Sequence, residues 1–192
     1  MNHRPLEIAG AFAVTLPGGS DERGRGIELF HGGRWKGLVG HEFVVAQTSL
    51  LQNKQGTLRG LHLAEGGLQS KLITCVSGKI WDVLVDLRPD SPTHGVHAVV
   101  EMSGTDPTTV FCPPGVAHGF VSMSNDAIVT LTVDVPFAIV PERAIAAFDP
   151  ELGIPWPVSE AKCVRSERDR NALPLNRLIS FSVLGFPSSA AR

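Results

Sequence analysis

Short runs of alternating residues, each bounded by turn residues, dominate this chain and predict a β-rich fold. The clearest pair is residues 71–76 and 79–87, which flank the turn dipeptide Ser77-Gly78 and predict a β-hairpin. In residues 79–87 one face carries apolar side chains, while Asp82 and Asp86 lie between aliphatic residues on the other face. Two aspartates on an otherwise apolar face indicate a polar cavity rather than open solvent.

Further strand patterns recur at the spacing typical of a β-sandwich or barrel. They cover residues 8–16, 41–48, 96–102, 108–112, 116–123 and 127–135. Helical periodicity is weak, and only residues 139–148 and 159–172 are each predicted to hold a short helix. No repeat or linker divides the 192 residues, so we predict one all-β domain over residues 1–176 and a flexible tail over residues 177–192.

Composition excludes several classes of partner. The net charge of −2 gives no overall attraction to nucleic acid or to anionic membranes, so neither is an expected partner and any anion site must be local. No apolar run reaches the ~20 residues of a membrane helix. The three cysteines, Cys75, Cys112 and Cys163, are widely spaced and odd in number, which argues against a disulfide framework and a zinc site and favours a cytoplasmic location.

One stretch, Leu58-Arg59-Gly60-Leu61-His62, carries two chemically useful side chains. The guanidinium of Arg59 suits bidentate contact with a phosphate, and Gly60 lets the backbone bend or approach a ligand closely. Arg23 is a second candidate anion anchor. For either arginine, a surface salt bridge is the alternative interpretation.

His62 alternates with two leucines and is therefore predicted to point into a cavity, where it could accept a proton near neutral pH. A hydrogen-bonded core histidine is the alternative. A metal site is not expected, because Ala64 occupies the place of the second histidine in a His-x-His pair.

Lys71 opens a strand and could stabilise an enolate, or could simply protect a strand edge. His118 follows a rigid Pro-Pro-Gly turn and is therefore a candidate to support His62 or a substrate.

Taken together, these motifs resemble the dTDP-4-dehydrorhamnose 3,5-epimerase family over residues 8–175. The motifs are, in chain order, Asp21-Glu22-Arg23-Gly24, Leu58-Arg59-Gly60-Leu61-His62, Lys71, Val85-Asp86-Leu87-Arg88 with Ser91-Pro92-Thr93, Pro113-Pro114-Gly115-Val116-Ala117-His118-Gly119-Phe120, residues 149–157 and residues 166–169. Each motif alone is a weak signal, but their number and order make the resemblance strong.

The resemblance implies a cupin-type double-stranded β-helix (jelly roll) that forms a homodimer with exchanged N-terminal strands and uses no metal or organic cofactor. It implies a small-molecule substrate, a nucleotide-linked keto sugar, from which a proton is removed beside the C4 ketone. By resemblance, His62 is the base, Asp169 orients it and Lys71 stabilises the enolate oxygen. The residues implied to hold the diphosphate, sugar and nucleotide are Arg23, Glu28, Gln47, Arg59 and His118.

The chain departs from the family at the general acid. The family places a tyrosine on the strand over residues 128–133, but this sequence contains no tyrosine and has Leu131 there, or Thr132 if the register slips by one. Phe137 replaces a second tyrosine. Neither leucine nor threonine can act as an acid in the way that a phenol, with a pKa of about 10, can. Three further family positions are changed, to Gly26, Ser49 and Ala64.

Three functions therefore stay open. The first is a dTDP-4-keto-6-deoxy sugar epimerase that inverts one centre, with water or another residue returning the proton. The second is a relative recruited to isomerise or cyclise a secondary-metabolite intermediate that is not nucleotide-linked. The third is a non-catalytic binding cupin, against which the retention of His62, Lys71 and Asp169 argues.

Overall fold

The computed structural model describes residues 3–179. Strands account for most of its regular structure. They are β1 (His3–Pro5), β2 (Phe12–Thr15), β3 (Gly18–Asp21), β4 (Gly24–Ile27), β5 (Gln47–Asn53), β6 (Leu58–Ala64), β7 (Lys71–Ser77), β8 (Lys79–Asp86), β9 (His97–Ser103), β10 (Thr108–Cys112), β11 (Val116–Ser122), β12 (Ala127–Val133) and β13 (Glu142–Ala144). The helices are α1 (Gly32–Val39), α2 (Glu167–Arg170) and α3 (Leu175–Ile179), with 3-10 turns at Glu65–Gly67, Pro150–Leu152 and Glu160–Lys162.

Eleven of these strands form two facing antiparallel sheets. The six-stranded sheet has the order β1-β2-β10-β7-β12-β5, the five-stranded sheet has the order β13-β6-β11-β8-β9, and β3 and β4 pair as a separate hairpin. Apolar side chains from both sheets meet in one core; Ile73 and Val110 come from the first, and Leu84 and Phe120 from the second. The predicted all-β jelly roll is confirmed.

Strands β7 and β8 do not form the predicted hairpin. Strand β7 pairs with β10 and β12, whereas β8 pairs with β11 and β9 in the opposite sheet. The Ser77-Gly78 turn is thus a corner at which the chain passes from one sheet to the other. Gly78 has a φ of 74°, and a Cβ at this position would lie only 2.4 Å from the Ser124 hydroxyl oxygen. Alternation identifies a strand but does not identify its partner, which is why the prediction was wrong.

The polar side chains of β8 are closed to open solvent, as predicted, but they are fully buried instead of facing the predicted polar cavity. Asp82 and Asp86 are both 0% exposed. Asp82 accepts a hydrogen bond from His118, while Asp86 accepts hydrogen bonds from Arg88 and from two hydroxyl groups in the following turn. These hydrogen bonds compensate for removing the carboxylates from water.

Several predicted boundaries were wrong. The first predicted strand, residues 8–16, is reduced to β2, and residues 41–46 are irregular, so the strand predicted at 41–48 begins only at Gln47 and runs on to Asn53. The helix predicted over residues 139–148 is absent there; β13 occupies its middle. Residues 159–172 do hold short helical segments. Of the predicted tail, residues 177–179 belong to α3, and residues 180–192 lie outside the described residues.

Additional segments cover the outer faces of both sheets. Helix α1, which the sequence did not predict, packs Trp35 against Phe12 on the six-stranded sheet, with ring centroids 6.2 Å apart. Residues from 145 to 175 pack over the five-stranded sheet, where Ile145 and Leu152 join its apolar cluster. This C-terminal cover brings α2 beside β6. Within residues 3–179, no helix has the length and apolar character needed to cross a bilayer.

Candidate active site

A cavity of about 610 Å³ opens between the two sheets. Both sheets and the segment leading into α2 contribute to its lining. The lining residues are Ser49, Leu51, Thr57, Leu58, Arg59, His62, His118, Phe120, Leu131, Phe137, Glu142, Val164, Arg165, Ser166, Arg168 and Asp169. The predicted residues Arg59, His62, His118, Leu131 and Asp169 therefore meet in one place.

His62 and Asp169 form a hydrogen-bonded pair at this cavity. The Nε2–H of His62 donates to Asp169 Oδ1 over 2.7 Å, and the histidine side chain remains 24% exposed. Because the Nε2 proton is engaged, Nδ1 is the ring nitrogen available to accept a proton. Burial opposes ionisation of Asp169, yet its hydrogen bonds, above all the one with His62 and then the one from the Gly60 N–H, hold the pKa of the carboxyl below its usual value.

Local structure fixes Asp169 in this orientation. Ser166 caps α2 by accepting a hydrogen bond from the Asp169 backbone N–H at 3.1 Å. The second carboxylate oxygen accepts the Gly60 N–H at 3.4 Å. Gly60 itself, at φ 106°, packs against β11, where a Cβ would lie 2.7 Å from the Gly119 Cα. The glycine therefore allows a backbone conformation and a close contact with β11 that a side chain at this position would prevent.

Lys71 is buried and paired beside the cavity rather than lining it. Its side chain is 2% exposed, and its ammonium donates to Glu142 Oε1 at 2.5 Å and to the side-chain oxygen of Gln69. The ammonium also lies 5.3 Å from the centre of the Phe137 ring. Burial opposes ionisation of Glu142, but the charge of Lys71 and its hydrogen bond hold the pKa of this carboxyl below its usual value.

Glu142 is a site residue that the sequence did not reveal. Its second oxygen lies 3.8 Å from His62 Nδ1, so it connects the histidine to Lys71 electrostatically. It occupies β13, paired in register with Ala64. The residue lies within the segment predicted to be helical, and no motif distinguishes it, so no sequence signal was available.

Three arginines surround the cavity. Arg59 donates through Nε to Asn53 at 2.7 Å, which holds its side chain along the cavity wall. Arg168 donates to the Glu142 backbone oxygen at 2.6 Å, and Arg165 pairs with Glu160 at 2.8 Å. The sequence singled out only Arg59 among them. Guanidinium groups arranged in this way suit an anionic ligand such as a diphosphate.

A second histidine–carboxylate pair lies next to the first. His118 pairs in register with His62 across β11 and β6, and its Nε2 lies 2.7 Å from Asp82 Oδ1. The His118 side chain is only 7% exposed but reaches the cavity lining. It is therefore placed to contact a bound molecule while Asp82 fixes the ring.

Leu131, which the sequence predicts to stand at the family's acid position, faces the cavity. This residue pairs in register with Ser49 of β5, and both line the cavity together with Phe137. The neighbouring Thr132 points to the opposite face, where its hydroxyl lies 3.0 Å from that of Thr48. Of these two residues, Leu131 therefore faces the cavity and Thr132 does not.

Three further candidates do not line the cavity of this chain. Arg23 lies in the exposed hairpin of β3 and β4 and pairs with Asp21 at 2.6 Å, while Glu28 pairs with Arg34. Gln47 lies nearer to the cavity, because it hydrogen-bonds to Ser49 and to the Phe137 backbone, and both of these residues line it.

Across residues 3–179, no group of three or more histidine, cysteine or acidic side chains is arranged to hold a metal ion.

A jelly roll with a histidine–aspartate pair and clustered arginines in its cavity defines a cupin able to move a proton on an anionic small molecule. The family model described as dTDP-4-dehydrorhamnose 3,5-epimerase matches residues 5–177. The chain belongs to this family of isomerases.

Named relatives agree with this membership. A dTDP-4-dehydro-6-deoxyglucose 3-epimerase from a Streptomyces species is 37% identical over 88% of this chain and 86% of its own length. A dTDP-4-dehydrorhamnose 3,5-epimerase from Streptomyces griseus is 34% identical over 88% of this chain and 84% of its own.

Solved structures show the same likeness. The rmlC epimerase of Mycobacterium tuberculosis superposes with a TM-score of 0.91 at 32% identity, covering 97% of this chain and 94% of the other. A 3'-monoepimerase from Streptomyces bikiniensis, solved in complex with dTDP-quinovose, gives a TM-score of 0.88 at 34% identity, with 98% and 94% covered.

Proposed function

We propose that this protein is an epimerase of a dTDP-linked 4-keto-6-deoxy sugar and that His62 removes the proton beside the C4 ketone. The observation that carries the proposal is the His62–Asp169 pair, 2.7 Å apart at a cavity that three arginines also surround. The relatives named above act on substrates of this class. A ketone acidifies the neighbouring C–H, so one positioned base is enough to begin the reaction.

In the first step, the substrate C–H bond breaks and its proton passes to Nδ1 of His62. The electron pair becomes an enolate whose charge rests largely on the former ketone oxygen. Asp169 stabilises the resulting imidazolium through Nε2. Lys71 is the proposed source of positive charge for the enolate; because Glu142 and Gln69 hold its ammonium, it acts at a distance within a buried environment.

Arg59 is proposed to bind the diphosphate, and Gln47 and His118 to contact the sugar or nucleotide. Arg23 and Glu28 lie away from this chain's own cavity, on or beside the exposed β3–β4 hairpin. We therefore expect a homodimer in which this N-terminal region reaches the partner's cavity. The three cysteines are free, two of them buried, which supports the expectation of a cytoplasmic protein.

The apolar wall of the cavity, formed by Leu51, Leu131 and Phe137, limits how a proton can be returned to the substrate. It offers no side chain that can serve as an acid, so the proton that completes the inversion must come from water or from another residue. The same apolar wall would suit a second candidate function, the isomerisation or cyclisation of an intermediate that lacks a nucleotide. Nucleotide binding separates the two.

The test combines binding with isotope exchange. We expect dTDP to raise the unfolding temperature of the protein, since a ligand of the folded state must stabilise it. In D₂O, we expect deuterium to enter a dTDP-4-keto-6-deoxy sugar, and His62→Ala to reduce the rate to that of a protein-free control. His94→Ala, an exposed histidine away from the cavity, serves as the matched control. Exchange that survives in His62→Ala would remove His62 as the base, and no response to dTDP would favour the second function.

A further inference from the structure

The two walls of the cavity differ in chemistry. His62, Glu142 and Asp169 come from the five-stranded sheet and the segment that covers it, so the groups able to transfer a proton lie on that side. The facing wall is formed by inward-pointing residues of β5 and β12 together with Phe137. Its lining residues are Ser49, Leu51, Leu131 and Phe137, and of these four only the serine has a polar side chain.

Ser49 is held in a defined orientation. Its Oγ accepts a hydrogen bond from Gln47 Nε2 at 3.1 Å. The amide oxygen of Gln47 accepts the Phe137 backbone N–H at 3.2 Å, which fixes the amide and leaves its NH₂ directed at the serine. Among the described residues, this accepted bond is the only hydrogen bond of the Ser49 side chain. The hydroxyl proton is therefore available to a molecule in the cavity.

Inversion requires a proton on the face of the enolate that points away from His62. We propose that Ser49 positions the water molecule that delivers this proton. The inference rests on the proposed function and deepens it, since it names the residue that completes the inversion.

The step balances without any further reagent. The enolate carbon forms a new C–H bond with a proton of the water, the enolate electron pair returns to form that bond, and the ketone is restored. The hydroxide that remains is neutralised by the proton that His62 releases to solvent. Ser49 holds the water through hydrogen bonds and does not itself lose a proton, so it is a positioning residue.

The experiment follows two products of one reaction in D₂O. A dTDP-4-keto-6-deoxy sugar is incubated with protein and trapped by borohydride reduction, and deuterium is then measured separately in the retained and the inverted sugar. For Ser49→Ala, we expect the rate of inversion to fall by about tenfold or more, which is less than a full general acid–base effect of about 10²-fold because water remains the proton donor. Exchange with retention, which needs only His62, should stay within about twofold of the wild-type rate.

Two variants provide the controls. Ser49→Thr keeps a hydroxyl and should restore most of the inversion. Thr48→Ala removes a hydroxyl from the adjacent residue, which points to the opposite face of the sheet, and should leave both rates unchanged. If inversion is unchanged in Ser49→Ala, or if exchange and inversion fall equally, the role assigned to Ser49 is wrong while the proposed function still stands. An absence of exchange in the wild-type protein would instead remove the proposed function, and this inference with it.

Discussion

The imidazole of His62 and the carboxylate of Asp169 lie 2.7 Å apart, although 107 residues separate them in the chain. Strand β6 supplies the histidine and the capped helix α2 supplies the aspartate. The carboxylate can only accept a hydrogen bond, so it keeps the proton on Nε2 and leaves Nδ1 able to accept another proton.

We predict that Asp169→Asn slows isotope exchange by about 10²-fold, because the asparagine NH₂ can donate to Nε2 and so favour the tautomer protonated at Nδ1. The exchange rate measured over a range of pH tests this. Glu167→Gln, an exposed residue of the same helix, should leave the rate unchanged. An Asp169→Asn rate equal to wild type would show that the carboxylate does not set the tautomer.

Lys71 and Glu142 form a buried ion pair, with 2% and 13% of their side chains exposed. We predict that Lys71→Met lowers the free energy of unfolding by about 3 kcal/mol, because it leaves a buried carboxylate without its cation. The double variant Lys71→Met/Glu142→Gln should lose less than the sum of the two single variants. Urea denaturation measures all four proteins, and strictly additive losses would contradict coupling between the two charges.

The lowered pKa of Asp86 predicts how the free energy of unfolding depends on pH. Burial alone would raise its pKa, but hydrogen bonds from Arg88, Ser91 and Thr93 lower it from 3.8 to about 2. Because the pKa is lower in the folded state, the carboxylate stabilises the fold above about pH 4, and this contribution disappears as the pH falls towards about 2. The shift corresponds to about 2 kcal/mol.

We therefore predict that Asp86→Asn is less stable than wild type at pH 7 by about 2 kcal/mol and that the difference shrinks between about pH 4 and about pH 2. Urea denaturation at several pH values measures it. Asp90→Asn, an exposed residue in the following turn, is the matched control. A difference that stays constant across this range would mean that titration of Asp86 is not responsible.

Much of the fold could be predicted from local pattern. Residues 108–112 form the predicted strand, and the alternation in β8 correctly placed Asp82 away from solvent. Pairing could not be predicted in the same way. The corner at Gly78 sends β7 and β8 into different sheets, and this choice depends on contacts with β10 and β11 that are remote in sequence.

Only some of the site residues could be predicted from the sequence, because others reach the site through contacts between segments that are remote in the chain. His62 stands out because it alternates with leucines and follows Arg59 and Gly60, but Glu142 stands in an undistinguished segment. Its position beside His62 arises from pairing between β13 and β6. Arg165 likewise lines the cavity only because residues from 145 to 175 fold over the five-stranded sheet.

Arg59 offers a direct test of nucleotide binding. We predict that Arg59→Lys weakens dTDP binding by about tenfold, because an ammonium cannot reproduce the two parallel hydrogen bonds of a guanidinium to phosphate. Calorimetry at two salt concentrations measures the change. Arg143→Lys is the matched control, since Arg143 pairs with Glu65 at 3.0 Å and does not line the cavity. Equal effects of the two substitutions would place the diphosphate elsewhere.

Leu131, the predicted position of the family's tyrosine, permits a gain-of-function test. It faces the cavity beside Ser49, on the wall opposite His62. A phenol there, with a pKa of about 10, would be a stronger proton donor than water. We predict that Leu131→Tyr raises the rate of inversion by at least about tenfold and makes it insensitive to Ser49→Ala.

Leu131→Phe separates the hydroxyl from the ring in this experiment. It adds nearly the same volume and so reports any cost of overpacking, which thermal unfolding of both variants would reveal. Inversion should rise in Leu131→Tyr but not in Leu131→Phe, while exchange with retention stays the same in both because His62 is untouched. A rise in both variants would indicate that ring packing improves substrate positioning, and a rise in neither would show that proton delivery from this wall does not limit inversion.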